Sequence, residues 1–505
     1  MLGTYITFPE LLILLPFIGG LVTVLFSKQT TGRALAIVIS FLVLAVSLAS
    51  LCFIETAADI RKDPYFNYNN VSYFWLRHIG ANYHVGLNGI GRLLTLLTAV
   101  LFPFILWMSD KTAATKRPAL FYGLMLLAQA GLMGVFCAKD ALTFYFYWEL
   151  ALIPVYFLAS MWGGEHRIQT TFKFFIYTFV GSLLMLVALL YLYNKTPARV
   201  LEQGVSIPHS FSLEAFKAVT LSGTEQLIIF LLFFVAFAIK MPLFPLHTWQ
   251  PDAYDQSPAP VTMVMSGLMV KMGLFGVLQW LFPIFPKMAG STVYTIITIV
   301  SVVGIVYASC VAMVQDNLRK LVAYSSIAHI GLMSAAIFAG KASGIQGALL
   351  QLFSHGVNIV AMWMVVDLIE QKTGTRKISE LSGLANTAPS LTVFALVICL
   401  ANIGLPLTNA FPGEFLMFSG LFQFNQWLAA IAGLGIILSA VYTLNMFRIV
   451  FYGGSNNLTN TVSDITGTQK IMLGIITVLI LVPGVYPQPF IDLTNDLLKS
   501  ISQTI

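Results

Sequence analysis

Apolar residues in this chain come in long blocks, with short polar stretches between them. A helix that crosses a hydrocarbon core needs roughly 20 mainly apolar residues. Blocks of that size lie near 8–27, 33–55, 92–109, 119–137, 141–162, 172–194, 226–249, 259–282, 291–313, 319–339, 345–370, 389–411, 414–446 and 469–487. The pattern predicts an all-α polytopic membrane protein of about 14 transmembrane helices. The 414–446 block is too long for one span, so its first part is expected to complete the interrupted helix before it. Strand-like alternation is absent from the pattern, which disfavours a β-barrel. Longer polar connections, near 55–91 and 195–224, fall on one predicted face.

The blocks near 226–249 and 389–411 are interrupted by proline. LIIFLLFFVAFA runs into IKMPLFPLH, where Pro242 and Pro245 closely follow Lys240. ANIGLPLTNAFPGE places Gly404, Pro406, Pro412 and Gly413 just before Glu414. Proline lacks a backbone donor and clashes with the carbonyl four residues back, so each helix is expected to break within the membrane. Freed backbone groups at that depth are tolerated only inside protein or beside water. The breaks lie about five spans apart, an odd offset that turns the second segment upside down relative to the first. This is the signature of an inverted repeat with ion sites at its discontinuities.

Composition supports the membrane assignment: hydrophobic residues make up 58% of the chain and charged residues only 10%. Lys28 and Arg33 follow the first run, and short loops after later odd-numbered predicted helices hold Lys111, Lys116, Arg117, Arg167, Arg319, Lys320, Lys372, Arg376 and Lys377. Even-side loops offer little beyond Lys139, Lys287 and Lys341. By the positive-inside rule both termini are expected on the outer side. The formal net charge of +6 therefore reads as topology, and no polybasic arm suggests nucleic acid as a partner. The first apolar run has no basic residue before it, unlike a cleaved signal peptide. Cys52, Cys137, Cys310 and Cys399 are scattered through apolar runs and read as packing residues, not as a disulfide or iron–sulfur framework.

Against this background the buried charges stand out. Glu149, Lys240, Lys271, His329, His355 and Glu414 all sit in or beside apolar blocks. An insertion cost of about 2.5–3.5 kcal/mol for a charge at mid-bilayer marks such residues as functional candidates. Lys173 and Asp367 lie nearer block ends, where a long side chain can reach the interface; Lys173 is equally well an interfacial anchor. A lone membrane histidine is commonly a hydrogen-bonded packing residue. Glu149 needs a cation, and Lys240 is the natural candidate. Together these residues suggest a proton relay. Two bis-histidine haems would need four deep histidines, of which only His329 and His355 qualify. Phosphate-loop and zinc-protease motifs are missing, and GLNGIG at 86–91 has no strand before it.

IKMPLFPLHTWQPDAYDQSPAPVTMVMSGLMVKMGLFG, WELALIPVYFLASMWGG, FKFFIYTFVGSLLM, DNLRKLVAYSSIAHIG and GLPLTNAFPGEF resemble, in order, the blocks of the antiporter-like subunits of respiratory complex I. The resemblance covers residues 85 to 455. Glu414, where the L and N relatives carry lysine, and the short tail after the last span match the M-type branch (chain 4 type in mitochondria). The resemblance implies inverted five-helix repeats over helices 4–8 and 9–13, with helices 7 and 12 broken. It divides the chain into 1–118, 119–282, 283–453 and 454–505. It also implies that Glu149 pairs with Lys240, that Lys271 bridges onward, and that His329 and His355 lead towards Glu414. The expected function is proton translocation driven by quinone reduction elsewhere in an NADH:quinone oxidoreductase. NADH, FMN, iron–sulfur clusters and quinone are expected on other subunits, leaving this chain without a cofactor or metal. Expected partners are L-type and N-type subunits and membrane lipid, in a bacterial cytoplasmic membrane. A subunit of a sodium/proton antiporter and a non-conducting spacer are the competing readings.

Overall fold

The computed structural model describes residues 6–26, 31–53, 68–109, 117–200, 206–207 and 209–502. Lys28, Lys111 and Lys116 of the charge pattern lie outside these residues. Thirteen helices among the described residues are long and apolar enough to cross a membrane. They are α1 (Phe8–Phe26), α2 (Gly32–Cys52), α3 (Gly89–Met108), α4 (Pro118–Cys137), α5 (Ala141–Trp162), α6 (Arg167–Lys195), α7 (Gly223–Lys240), α8 (Ala259–Ile284), α9 (Thr292–Met313), α10 (Leu318–Phe338), α11 (Ala342–Thr373), α14 (Gln426–Phe451) and α15 (Gly467–Val485). The remaining span is divided between two shorter helices, α12 (Pro389–Asn402) and α13 (Ala410–Phe424). The chain is an integral membrane protein with the expected all-α fold.

Local chemistry fixes where the helices start and stop. Asp140 caps α5 by accepting from Leu142 and Thr143 N–H, and Asn425 caps α14 through Trp427 and Leu428 N–H. Asn425 thereby divides the overlong apolar block, leaving α13 to complete the interrupted helix. The predicted 226–249 helix ends early, at Lys240. Pro242 and Pro245 each lack the N–H that another turn would use, and the chain turns until a short helix resumes at Gln250–Gln256. Gly404, at φ +77°, reverses the chain after α12 in a conformation that disfavours a side chain. Pro412 then falls in the first turn of α13, where its missing N–H would have no intrahelical partner.

The structure contains elements that the apolar blocks did not predict. Strands β1 (Asn70–Leu76) and β2 (Ala81–Gly86) form an antiparallel hairpin within the first polar connection, turned through Gly80 at φ +63°. Each alternates over only four or five residues, Asn70–Tyr73 and Ala81–Val85, so a pattern of long apolar blocks did not register them. Helix α16 (Gln488–Ser502) follows the last span. Within α8, residues Met265–Met269 and Val277–Leu281 widen to π-helix on either side of Lys271.

The chain divides into a first unit, Met1–Met241 with Leu268–Lys287, and a second, Pro242–Gly267 with Met288–Gln503. In the first unit α4 packs against α1 and α5, and α7 against α6. In the second, α9 packs on α10 and α14, while α11 packs on α13. Helices α8 and α11 are buried throughout their apolar windows, which leaves no outward face for lipid. Helix α6 instead exposes Ile168, Phe172, Ile176, Val180, Leu183, Val187 and Leu190. Their three- and four-residue spacing makes a single apolar stripe suited to hydrocarbon.

Candidate functional site

In the first unit, Lys240 is the last residue of α7 and is 2% exposed. A helix C-terminus carries partial negative charge from its free carbonyls, which favours a cation there. The Lys240 Nζ lies 5.4 Å from the ring centroid of Trp148 and has no hydrogen-bond partner among the described residues. Trp148 is itself held by Nε1 donating to Ser182 Oγ at 3.2 Å, and it packs against Phe144 and Phe237. Glu149, the next residue, has a buried Oε1 that likewise lacks a hydrogen-bond partner. The expected direct Glu149–Lys240 ion pair is therefore not formed among the described residues, although Glu149 acts on Lys240 through space. The Trp148 ring occupies the near position, so the pair is open in this conformation.

Lys271 is fully buried on α8. Gly273 lets this part of α8 lie against the end of α7: a Cβ there would come 2.6 Å from the Phe237 carbonyl oxygen. Any side chain at 273 would push apart the backbones that carry Lys240 and Lys271. Lys173 lies in the second turn of α6, half-buried.

In the second unit His329, His355 and Glu414 converge. The His329 Nδ1 is 3.6 Å from Glu414 Oε1, and the two imidazole centroids are 5.7 Å apart. Gln351 Nε2 donates to Glu414 Oε1 at 3.3 Å, and His355 Nε2 lies 3.3 Å from Ser326 Oγ. Gly404, in the break, lies so close to the Glu414 carboxylate that a Cβ would collide with it. The break thus creates the space that the acid fills. Asp367, nearer the end of α11, accepts from Gln371 Nε2 at 2.6 Å.

Sequence reasoning missed the neutral members of this cluster. Gln351 and Ser325 each stand four residues before a candidate histidine, a spacing that shares a helix face and could have flagged them. Asn402 donates to Ser325 Oγ at 3.1 Å, and Tyr442 donates to the same oxygen at 3.0 Å. The count of deep histidines also needs correction. His247, in the connection after α7, is 2% exposed and packs against Phe244 and Tyr307. Of the cysteines, Cys137 and Cys399 are buried packing residues, whereas Cys52 and Cys310 are exposed.

Outside the membrane spans, Asp140 is 1% exposed at the start of α5. Burial pushes its carboxyl up to about 6, against the opposing effect of backbone donors from Thr143, Asn82 and Leu142.

Residues 138–439 match the family described as NADH:quinone oxidoreductase/Mrp antiporter, transmembrane. The NADH-quinone oxidoreductase subunit M of Rhodobacter capsulatus is 39% identical over 82% of this chain and 81% of its own. A chain of the respiratory complex I from Thermus thermophilus with bound NADH superposes with a TM-score of 0.86 at 29% identity, covering 98% of this chain and 99% of that one. A chain of the Mrp complex from a Dietzia species shares the fold, with a TM-score of 0.84 at 17% identity and coverage of 98% and 97%. Lys240, Glu414 and both helix breaks fall within the matched residues, and the chain belongs to the NADH:quinone oxidoreductase/Mrp antiporter transmembrane family.

Proposed function

We propose that this chain is the M-type proton-translocating subunit of an NADH:quinone oxidoreductase, driven by quinone reduction elsewhere in the complex. The observation that carries the reading is Lys240: a buried ammonium at an interrupted helix, in open register with Glu149, within a chain whose relatives are NADH-quinone oxidoreductase subunits. A lysine close to a carboxylate holds its charge. With the carboxylate withdrawn, the buried charge loses its compensation and the proton is readily given up. Closing and opening the Glu149–Lys240 pair would thus load and unload a carrier. Glu149, Lys240 and Lys271 serve in the first unit, with Lys173 as a further candidate, and His329, His355 and Glu414 in the second. A non-conducting spacer would have no use for these charges, because apolar residues would fill the same positions at lower cost.

The complex supplies the redox chemistry through other subunits, with L-type and N-type chains as membrane neighbours. It sits in a bacterial cytoplasmic membrane with the basic loops inside and both chain ends outside. The test combines copurification in mild detergent with NADH-driven proton uptake in vesicles. Flavin and iron–sulfur subunits should copurify, and Glu149→Ala should remove most of the uptake per NADH while the complex remains assembled on a native gel. Normal uptake in that assembled variant would overturn the assignment of Glu149. Copurification without redox subunits would instead favour the antiporter.

A further inference from the structure

In the second unit, the His329–Glu414 cluster lies beside two cavities. A cavity of about 230 Å³ is lined by Gln315, Asp316, Ser379, Tyr442 and Asn445, where the end of α9 meets the start of α10. A second cavity of about 20 Å³ is lined by His329, Glu414, Ser439 and Tyr442. It has room for about one water molecule. Tyr442 belongs to both walls.

The two cavities follow matching helix faces. On α10, Leu321 lines the wide cavity, while Ala328, His329 and Leu332 line the narrow one. On α14, Asn445, Met446 and Ile449 line the wide cavity, while Gly435 and Ser439 line the narrow one. Residues three and four apart share a face, so each helix contributes a single continuous wall. At 1.5 Å rise per residue, Leu321 to His329 spans about 12 Å. At Tyr442, which both cavities share, three hydroxyls cluster. Tyr442, 2% exposed, has its hydroxyl oxygen 3.0 Å from Ser325 Oγ and 3.2 Å from Ser439 Oγ, so that it donates to one serine and accepts from the other. Packing alone calls for no such oxygens, since polar atoms in an apolar wall cost free energy unless each finds a partner.

We propose that Tyr442 gates a water access route leading from the face that carries Arg319, Lys320 and Lys377 to the Glu414 site. The wide cavity is its vestibule. The Tyr442 ring closes the route, and the hydroxyl bonds to Ser325 and Ser439 latch it. Swinging the ring aside joins the cavities, and a hydrated proton from the vestibule can then transfer to the Glu414 carboxylate or the His329 imidazole, leaving neutral water behind. The inference rests on the proton-carrying reading of Glu414 and supplies the face from which that site is served. Tyr442 is a positioning residue that controls access.

The test is thiol accessibility in sealed vesicles containing the whole complex, prepared in both orientations. Asn445→Cys and Ser439→Cys are introduced singly, with Cys52 and Cys310 replaced by serine. A small, membrane-impermeant cationic thiosulfonate is applied, and modification of this chain is followed by mass spectrometry. From the basic-loop face, Asn445→Cys should react at once and Ser439→Cys at least tenfold more slowly. Adding Tyr442→Phe should speed the Ser439→Cys reaction about fivefold, as the loss of one hydrogen bond allows. Adding Tyr442→Ala should bring it near the Asn445→Cys rate. Reaction of Ser439→Cys only from the opposite face, or a rate unmoved by Tyr442→Phe in the assembled complex, would overturn the gate. Labelling requires no pumping, so this outcome is separate from the relay. Normal pumping in Glu414→Gln would count against Glu414 as carrier while leaving the labelling pattern intact.

Discussion

Lys240→Met should stabilise the protein while stopping the pump. Methionine keeps the length and flexibility of the lysine stem and removes the charge. In the structure the Lys240 ammonium is buried without a hydrogen-bond partner, and its near neighbour is the Trp148 ring at 5.4 Å. Holding a lysine at mid-membrane depth costs about 2.5–3.5 kcal/mol. A desolvated cation–π contact returns about 2 kcal/mol. The difference leaves methionine favoured by about 1 kcal/mol. Glu149 loses its through-space partner in the variant, so the change is paired with Glu149→Gln to remove that effect. The assay is the midpoint of thermal unfolding of the assembled complex in mild detergent, set beside NADH-driven proton uptake in vesicles. The expected result is an equal or higher midpoint with uptake nearly abolished. A loss of more than about 2 kcal/mol in the double variant would refute the reasoning, because it would mean that Lys240 is held by contacts other than those found here.

Three further outcomes follow from the same geometry. Glu414→Gln should strongly lower coupled turnover, whereas Glu414→Lys, which restores an ionisable group, should keep part of it; both are read from proton uptake per NADH with assembly checked on a native gel. Gly404→Ala should cost about 1–2 kcal/mol from its left-handed backbone alone, and the collision of its Cβ with Glu414 should lower uptake more than it lowers assembly. Asp140 has a folded-state carboxyl raised to about 6 from an ordinary 3.8, so the folded chain binds the extra proton and stability falls as pH rises between these values; Asp140→Asn should flatten the unfolding midpoint from pH 4 to 6, and an unchanged slope would exclude Asp140 as its source.

Spans, breaks and buried charges could be read from residue order because a bilayer imposes a one-dimensional rule. Apolar length decides what crosses, and the paired prolines after Lys240 and Asn402 mark the two breaks, whereas Pro16, Pro103, Pro154 and Pro483 each sit inside a continuous helix. The same rule made Lys240, Lys271 and Glu414 conspicuous, since the chain has few charges at all. What lies beside each charge is a three-dimensional matter. Trp148 stands next to Glu149 in the chain, yet only packing places its ring beside Lys240 and leaves the pair open. Gln351 reaches Glu414 across 63 positions, and Tyr442 reaches Ser325 across 117. Neutral polar residues of this kind carry no signal in a hydropathy pattern, because their cost depends on partners that the fold supplies. The hairpin at 70–86 escaped for a related reason: its strands are short, and their pairing depends on cross-strand contacts that residue order does not display. Sequence thus determined which groups this protein buries. Tertiary structure decided which of them meet, because hydrogen bonds and ion pairs act over a few ångströms of space, however far apart along the chain their members lie.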